Sequence, residues 1–166
     1  MNYLHSFKPN PILYLDLHPG NLLICREQLK LIDFDQAALA SLSQERSVCY
    51  GTKGFAAPEQ YEGGTLDERT DIYAIGALLY YMGTGHAPEG EIKAGQGSCR
   101  GDLYILMGRC LRTEKKERCQ SVREVLEALE KLEARIFAER HIPLLRIAAA
   151  GSRSGIGVTH TALGAV

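Results

Sequence analysis

The sequence predicts a mainly α-helical domain that carries one or two short β-hairpins, and three observations lead there. Residues 69–84, RTDIYAIGALLYYMGT, have apolar side chains on every face and end at Gly83 and Gly85, the pattern of a helix buried at the centre of a fold. Val122, Val125, Leu126, Leu129, Leu132 and Ile136 recur at helical spacing behind Ser121-Val-Arg-Glu124, a capping-box pattern, so a second, amphipathic helix packs by one face. Leu22–Cys25 and Leu29–Ile32 are short apolar runs separated by the polar Arg26-Glu27-Gln28, which reads as a hairpin.

The remaining elements can be taken in chain order. Residues 1–6 read as the last turn of a helix, stopped by Pro9 and Pro11, so the chain is expected to begin in the middle of a structure. The hairpin leaves Asn21 and Asp33 at its open end, close together. From Gln36 to Gly64 no period is sustained, and the stretch GTKGFAAPEQY marks this long loop as a functional one. Residues 86–101 are glycine-rich and irregular, after which Asp102 is expected to cap a helix through Leu103, Leu106, Met107, Cys110 and Leu111. Beyond Pro143 the composition changes. LLRIAAAG is strand-like, and GSRSGIGVTHTALGAV is a glycine loop leading into an apolar run. The expected division is a domain over 1–138 and a linker plus an incomplete strand-loop-helix unit over 139–166.

Composition narrows the class. A chain of 166 residues suffices for one domain with a core and is too short for two full ones. A net charge of −1 argues against a nucleic-acid binder that works by neutralising phosphates. No apolar stretch is long enough to cross a bilayer, and MNYLHSFKPNP has no apolar run behind a basic head, so neither membrane insertion nor a secretory leader is expected. The five cysteines are odd in number and include no CxxC pair, which fits reduced, structural thiols and a cytoplasmic location.

The chemistry concentrates in LYLDLHPGNLLICREQLKLIDFDQA, residues 13–37. Asp16 is followed five residues later by Asn21, and Asp33 comes after the hairpin. That order can bring one proton acceptor and two oxygen ligands for magnesium to one point. Alone, D-x-x-x-x-N matches many turns, and Asp16, Asn21, Asp33 and Asp71 could each be an Asx-turn, a strand end or a helix cap. Several motifs in a fixed order are far more specific than any one of them. LDLHPGN resembles the catalytic loop H-R-D-L-K-P-x-N of protein kinases, IDFD resembles their D-F-G segment, and GTKGFAAPE resembles the G-T-x-G-Y-x-A-P-E ending of their activation segment. TDIYAIGALLYYMGTG resembles the buried helix that comes after that segment.

The resemblance runs from about Met1 to Leu132 and is to the larger, mostly helical C-terminal lobe of a bacterial-type serine/threonine protein kinase. It implies that Asp16 orients the substrate hydroxyl and accepts its proton, that Asn21 and Asp33 hold the Mg²⁺ ions bridging the ATP phosphates, and that Thr52 supports Asp16. It further implies a Glu59–Arg118 bridge tying the activation segment to the lobe, and that Asp71 holds the catalytic-loop backbone from beneath. The implied cofactors are ATP and Mg²⁺, and the implied partner is a protein substrate.

Departures from the family pattern carry expectations of their own. His18 stands where the family has Lys, and imidazole is only partly protonated near neutral pH, which makes a weaker γ-phosphate clamp. Leu15 replaces the Arg that pairs with a phosphorylated activation loop, so no such control is expected. Asp35 replaces the glycine of D-F-G, restricting the hinge. No G-x-G-x-x-G turn, V-A-I-K lysine or partner glutamate helix stands before the catalytic loop, so the small lobe is expected to be absent or supplied in trans. The alternatives are a pseudokinase-like binding module and a small-molecule phosphotransferase of the aminoglycoside-kinase type, which DLHPGN and IDFD also resemble; Ala57-Pro58-Glu59 favours the protein kinase. Gly151 to Thr159 resembles the phosphate loop of partition-type P-loop ATPases, with Val158 where that motif needs Lys, and a glycine-rich turn or disordered end is the favoured reading.

Overall fold

A computed structural model describes residues 1–42, 51–92 and 101–153. The chain forms two compact units, Met1–Leu129 and Glu130–Val166. Among the described residues, the second consists of the continuation of one long helix.

The first unit opens with a single helical turn, α1 (Asn2–His5), and a two-residue strand, β1 (Ile12–Leu13). A 3₁₀ turn, Pro19–Asn21, then leads into the hairpin β2 (Leu22–Cys25) and β3 (Gln28–Leu31). The second strand starts one residue earlier than its apolar pattern suggests. The connection is the two-residue turn Arg26-Glu27, with φ of 49° and 63°, and left-handed values at both central residues match the twist of a tight hairpin, so Gln28 pairs with Cys25 and Leu31 with Leu22. Sequence-distant pairing adds a second sheet: β4 (Ala38–Leu39) runs antiparallel to β1, with Leu13 opposite Ala38. It lies in the segment that shows no period, as does the short helix α2 (Pro58–Glu62). Pro58 begins α2, and Gly63 closes it in the left-handed conformation that glycine adopts without steric cost.

Helix α3 (Glu68–Thr84) is the centre of the first unit. Asp67 caps it by accepting the Arg69 N–H at 2.9 Å, and Gly85 ends it with its N–H on the Tyr81 carbonyl. Its first half is buried on all sides, while its end emerges, leaving Met82 73% exposed. Phe55, Ala57, Tyr73, Ala77 and Leu111 form one core cluster; Tyr14, Leu17 and Ala74 form another beneath the hairpin, covered by Leu22 and Leu31. Gly76 lets α4 (Gly101–Cys110) approach closely, since a Cβ there would lie 2.5 Å from the Cys110 Cβ.

Asp102 sits inside the first turn of α4 instead of capping it, because the helix already begins at Gly101; the carboxylate still faces the positive end of the helix dipole. At the start of α5 (Val122–Arg153) the box is shifted by one residue: Ser121 Oγ accepts the Glu124 N–H, while Glu124 Oε2 accepts the N–H of Gln120. The expected domain boundary at residue 138 falls within α5, and the strand-like LLRIAAA is helical. Leu144, Leu145 and Ala148 to Ala150 are strong helix formers, and their propensity continues the preceding helix. The P-loop-like reading falls largely on residues 154–166, outside the described residues. Among the described residues, no helix is long and apolar enough to cross a membrane.

Candidate active site

Asp16, in the loop after β1, is held on both carboxylate oxygens. Thr52 Oγ donates to Oδ1 at 2.8 Å, and Asn21 Nδ2 donates to Oδ2 at 3.3 Å and to the Asp16 carbonyl at 3.0 Å. The five-residue spacing works because Pro19–Asn21 forms a 3₁₀ turn that folds the Asn21 side chain back toward Asp16. His18 caps this turn: its Nδ1 accepts the Gly20 N–H at 3.2 Å, which puts the ring proton on Nε2, 3.7 Å from Asp16 Oδ2. Imidazole and carboxylate therefore face each other, an arrangement the sequence does not suggest.

Asp33 reaches the same region through the hairpin. The Ile32 N–H donates to the Asn21 carbonyl at 3.0 Å, so the residue before Asp33 is tied to the base of the 3₁₀ turn. Asp33 has φ of 58° and is exposed, with Oδ1 accepting the Asp35 N–H at 3.3 Å. Tyr14 locks this strand end from below, its hydroxyl donating to the Ile32 carbonyl and its ring meeting Phe34 edge-on at 5.2 Å. Burial pushes the Tyr14 hydroxyl up to about 12, and the Asp16 and Asp33 carboxylates push in the same direction, so it stays a donor at any physiological pH.

The loop backbone is fixed just before Asp16. Leu15 adopts φ of 67°, unusual for a side chain of its size. Asp71 of α3, fully buried, accepts the Tyr14 and Leu15 N–H groups, each at 2.8 Å, and lies 2.8 Å from His5 Nε2. Gln60 of α2, also buried, donates to the Leu15 carbonyl at 2.8 Å and accepts the Ala57 N–H at 3.0 Å. Both polar backbone atoms of Leu15 are thus pinned by side chains from different elements.

Glu59 and Arg118 form a bidentate pair, Nη1 to Oε1 at 2.7 Å and Nη2 to Oε2 at 2.8 Å. Thr70 Oγ adds a bond to Glu59, and the fully buried Arg118 also donates to the carbonyls of Arg112, Arg69 and Thr113. Its guanidinium lies 5.1 Å from the Tyr73 ring centroid. A buried charge pair survives desolvation only with such complete pairing.

The site residues expected from sequence fall into two groups: Asp16, His18, Asn21 and Thr52 in direct contact with Asp33 nearby, and Glu59, Asp71 and Arg118 in the scaffold beneath. Tyr14, Gln60 and His5 join them unexpectedly. Their only sequence signal is a polar group beside apolar or small residues, which many unrelated positions share. Among the described residues no group of three or more His, Cys, Asp or Glu side chains is placed to hold a metal ion. An Asn amide with a carboxylate is nonetheless a donor set suited to Mg²⁺, which binds through few protein oxygens and completes its shell with water and phosphate.

The model for the protein kinase domain matches residues 1–141. Serine/threonine-protein kinase A of Synechocystis sp. is 31% identical over 153 residues, covering 77% of this chain and 29% of that protein. Integrin-linked protein kinase 1 of Arabidopsis thaliana is 31% identical over 93% of this chain and 34% of its own length. The DNA damage-responsive serine/threonine-protein kinase RqkA of Deinococcus radiodurans is 38% identical over 89 residues, 51% of this chain and 13% of its own. The chain spans about a third or less of the curated relatives it matches. With the match covering most of its length and the motifs assembled around Asp16, the chain belongs to the protein serine/threonine kinase family, of bacterial type.

Proposed function

We propose that this chain is the larger lobe of a cytoplasmic serine/threonine protein kinase, and that the whole protein transfers the γ-phosphate of ATP to a protein hydroxyl. The observation that carries the reading is the Asp16 carboxylate, oriented by Thr52 and Asn21 on a loop whose backbone Asp71 and Gln60 hold rigid. A carboxylate so fixed can orient a substrate hydroxyl and accept its proton, and positioning of this kind is most of what phosphoryl transfer asks of a protein. Asn21 and Asp33 are the residues that would hold Mg²⁺, which when bound neutralises charge on the ATP phosphates. His18 Nε2–H, 3.7 Å from Asp16 Oδ2, turns the positive end of its N–H dipole toward the carboxylate and favours its charged form. The strands and lysine that cover the nucleotide come from a smaller lobe, encoded upstream or supplied in trans.

The test is calorimetry of Mg²⁺–ATP binding, on this chain and on the same chain extended upstream through any encoded small lobe, with Asp33→Ala as control. Binding in the extended form, lost in Asp33→Ala, together with phosphate transfer to protein that Asp16→Asn lowers about 100-fold or more, supports the reading. Absence of binding in both forms overturns it and favours a second one, a pseudokinase-like binding module. That alternative draws on His18 being turned onto Asp16 and on Asp35 closing an Asx-turn on Asp33. Turnover of an amino alcohol or sugar hydroxyl with none of protein would instead identify a small-molecule phosphotransferase.

A further inference from the structure

Cys110 is the last residue of α4, and Cys119 stands three residues before α5. Both are free thiols, both are fully buried, and their sulfurs are 3.9 Å apart. We propose that Cys110 and Cys119 are a site of reversible oxidation, closing an intramolecular disulfide across the loop that presents Arg118.

The backbone on either side is already fixed, so closure falls to the side chains. Cys110 is wedged against Gly76 of α3, where no Cβ could fit, and cannot retreat. Arg118, next to Cys119, is anchored by its bonds to Glu59, Arg69, Arg112 and Thr113. A disulfide needs the sulfurs at about 2.0 Å, so they must close by roughly 1.9 Å, a distance within reach of χ1 rotation.

The pair is also chemically unequal. The Cys110 S–H donates toward Cys119, which pushes the Cys110 thiol up, with burial acting in the same direction; the same contact, helped by Arg109, holds Cys119 down. Burial opposes ionisation of Cys119 but is outweighed, so of the two Cys119 is the thiol favoured to ionise first. With hydrogen peroxide as oxidant, admitted when a transient local opening between α4 and α5 exposes the buried pair, the Cys119 thiolate attacks one peroxide oxygen, the O–O bond breaks, and a sulfenic acid forms with release of hydroxide, protonated to water. The Cys110 sulfur then attacks the sulfenic sulfur, forming the S–S bond, and its proton leaves with the hydroxyl as a second water. Two thiols lose two electrons and two protons, and one peroxide becomes two waters.

The experiment uses the full chain. After peroxide treatment, denaturation, alkylation of remaining thiols and digestion with trypsin without reductant, Cys110 lies in the peptide Cys110-Leu-Arg112 and Cys119 in Cys119-Gln-Ser-Val-Arg123. The expected result is these two peptides joined, separating again with dithiothreitol, and an oxidised protein melting about 5 °C or more above the reduced one. In Cys119→Ser the shift on oxidation disappears. Recovery of both peptides alkylated and unlinked, or linkage of Cys119 to the half-exposed Cys25 as often as to Cys110, overturns the proposal.

Discussion

At the scale of single residues, the polar side chains that matter most are those that hold backbone rather than substrate. Gln60 satisfies the Leu15 carbonyl and the Ala57 N–H at once, in a setting where water cannot replace it. Gln60→Leu leaves both groups unpaired and is expected to lower stability by about 1–3 kcal/mol, read from urea unfolding. An unchanged midpoint would mean that the loop is held by Asp71 alone. Arg118 is the harsher case. Arg118→Ala abandons the Glu59 carboxylate in a buried site, and the expected loss is about 3–5 kcal/mol. The double variant with Glu59→Gln should recover part of that loss, and failure to do so would show that the bonds from Arg118 to carbonyls, rather than the charge pair, dominate.

At the scale of elements, the start of α3 is the clearest case of local chemistry fixing a boundary. Asp67 caps the helix and meets Arg69 at 2.7 Å and Lys115 at 2.9 Å. Partial burial raises its pKa, but the hydrogen bonds from Arg69 and Lys115 outweigh burial and hold the carboxyl at about 2, below its ordinary 3.8. A carboxyl with a depressed folded-state pKa adds stability that is present above pH 4 and is lost as pH falls toward 2. The side chain is a quarter exposed, so solvent screening limits this to about 1–2 kcal/mol. Asp67→Asn keeps the cap and removes the charge; its stability should be flatter between pH 4 and 2 than that of the wild type, as followed by thermal melts. A parallel fall in both proteins would exclude Asp67 as the source.

At the scale of the whole molecule, the hairpin has one apolar face, Leu22, Ile24, Leu29 and Leu31, and a mixed one, where Leu23 and Cys25 stand opposite Lys30 and Gln28. Ile24 and Leu29 pair across the strands on one face and are 76% and 65% exposed, Leu23 is half exposed on the other, and Phe34 beyond the strand end is half exposed beside Tyr14. Single exposed apolar residues are ordinary, but a group in one hairpin favours association. The isolated chain is expected to self-associate in sedimentation at high concentration, and Ile24→Lys with Leu29→Lys should shift it toward monomer. A clean monomer for the unmodified chain would show that these residues are tolerated in water.

By itself the sequence determined the family, the buried helix α3, the amphipathic start of α5, the hairpin and the order of Asp16, Asn21 and Asp33, because each rests on short-range signals: periodicity, caps, turn residues and motif spacing. What lies far apart in the chain was decided only by tertiary structure. The pairing of β1 with β4, the grip of Asp71 and Gln60 on Leu15, and the meeting of Cys110 with Cys119 and Gly76 leave no local pattern. Even the turn of His18 toward Asp16 depends on a backbone N–H, that of Gly20, aimed by the 3₁₀ turn. Local chemistry selects the elements; the register and contacts between distant ones are set by how their buried polar groups can all be paired at once.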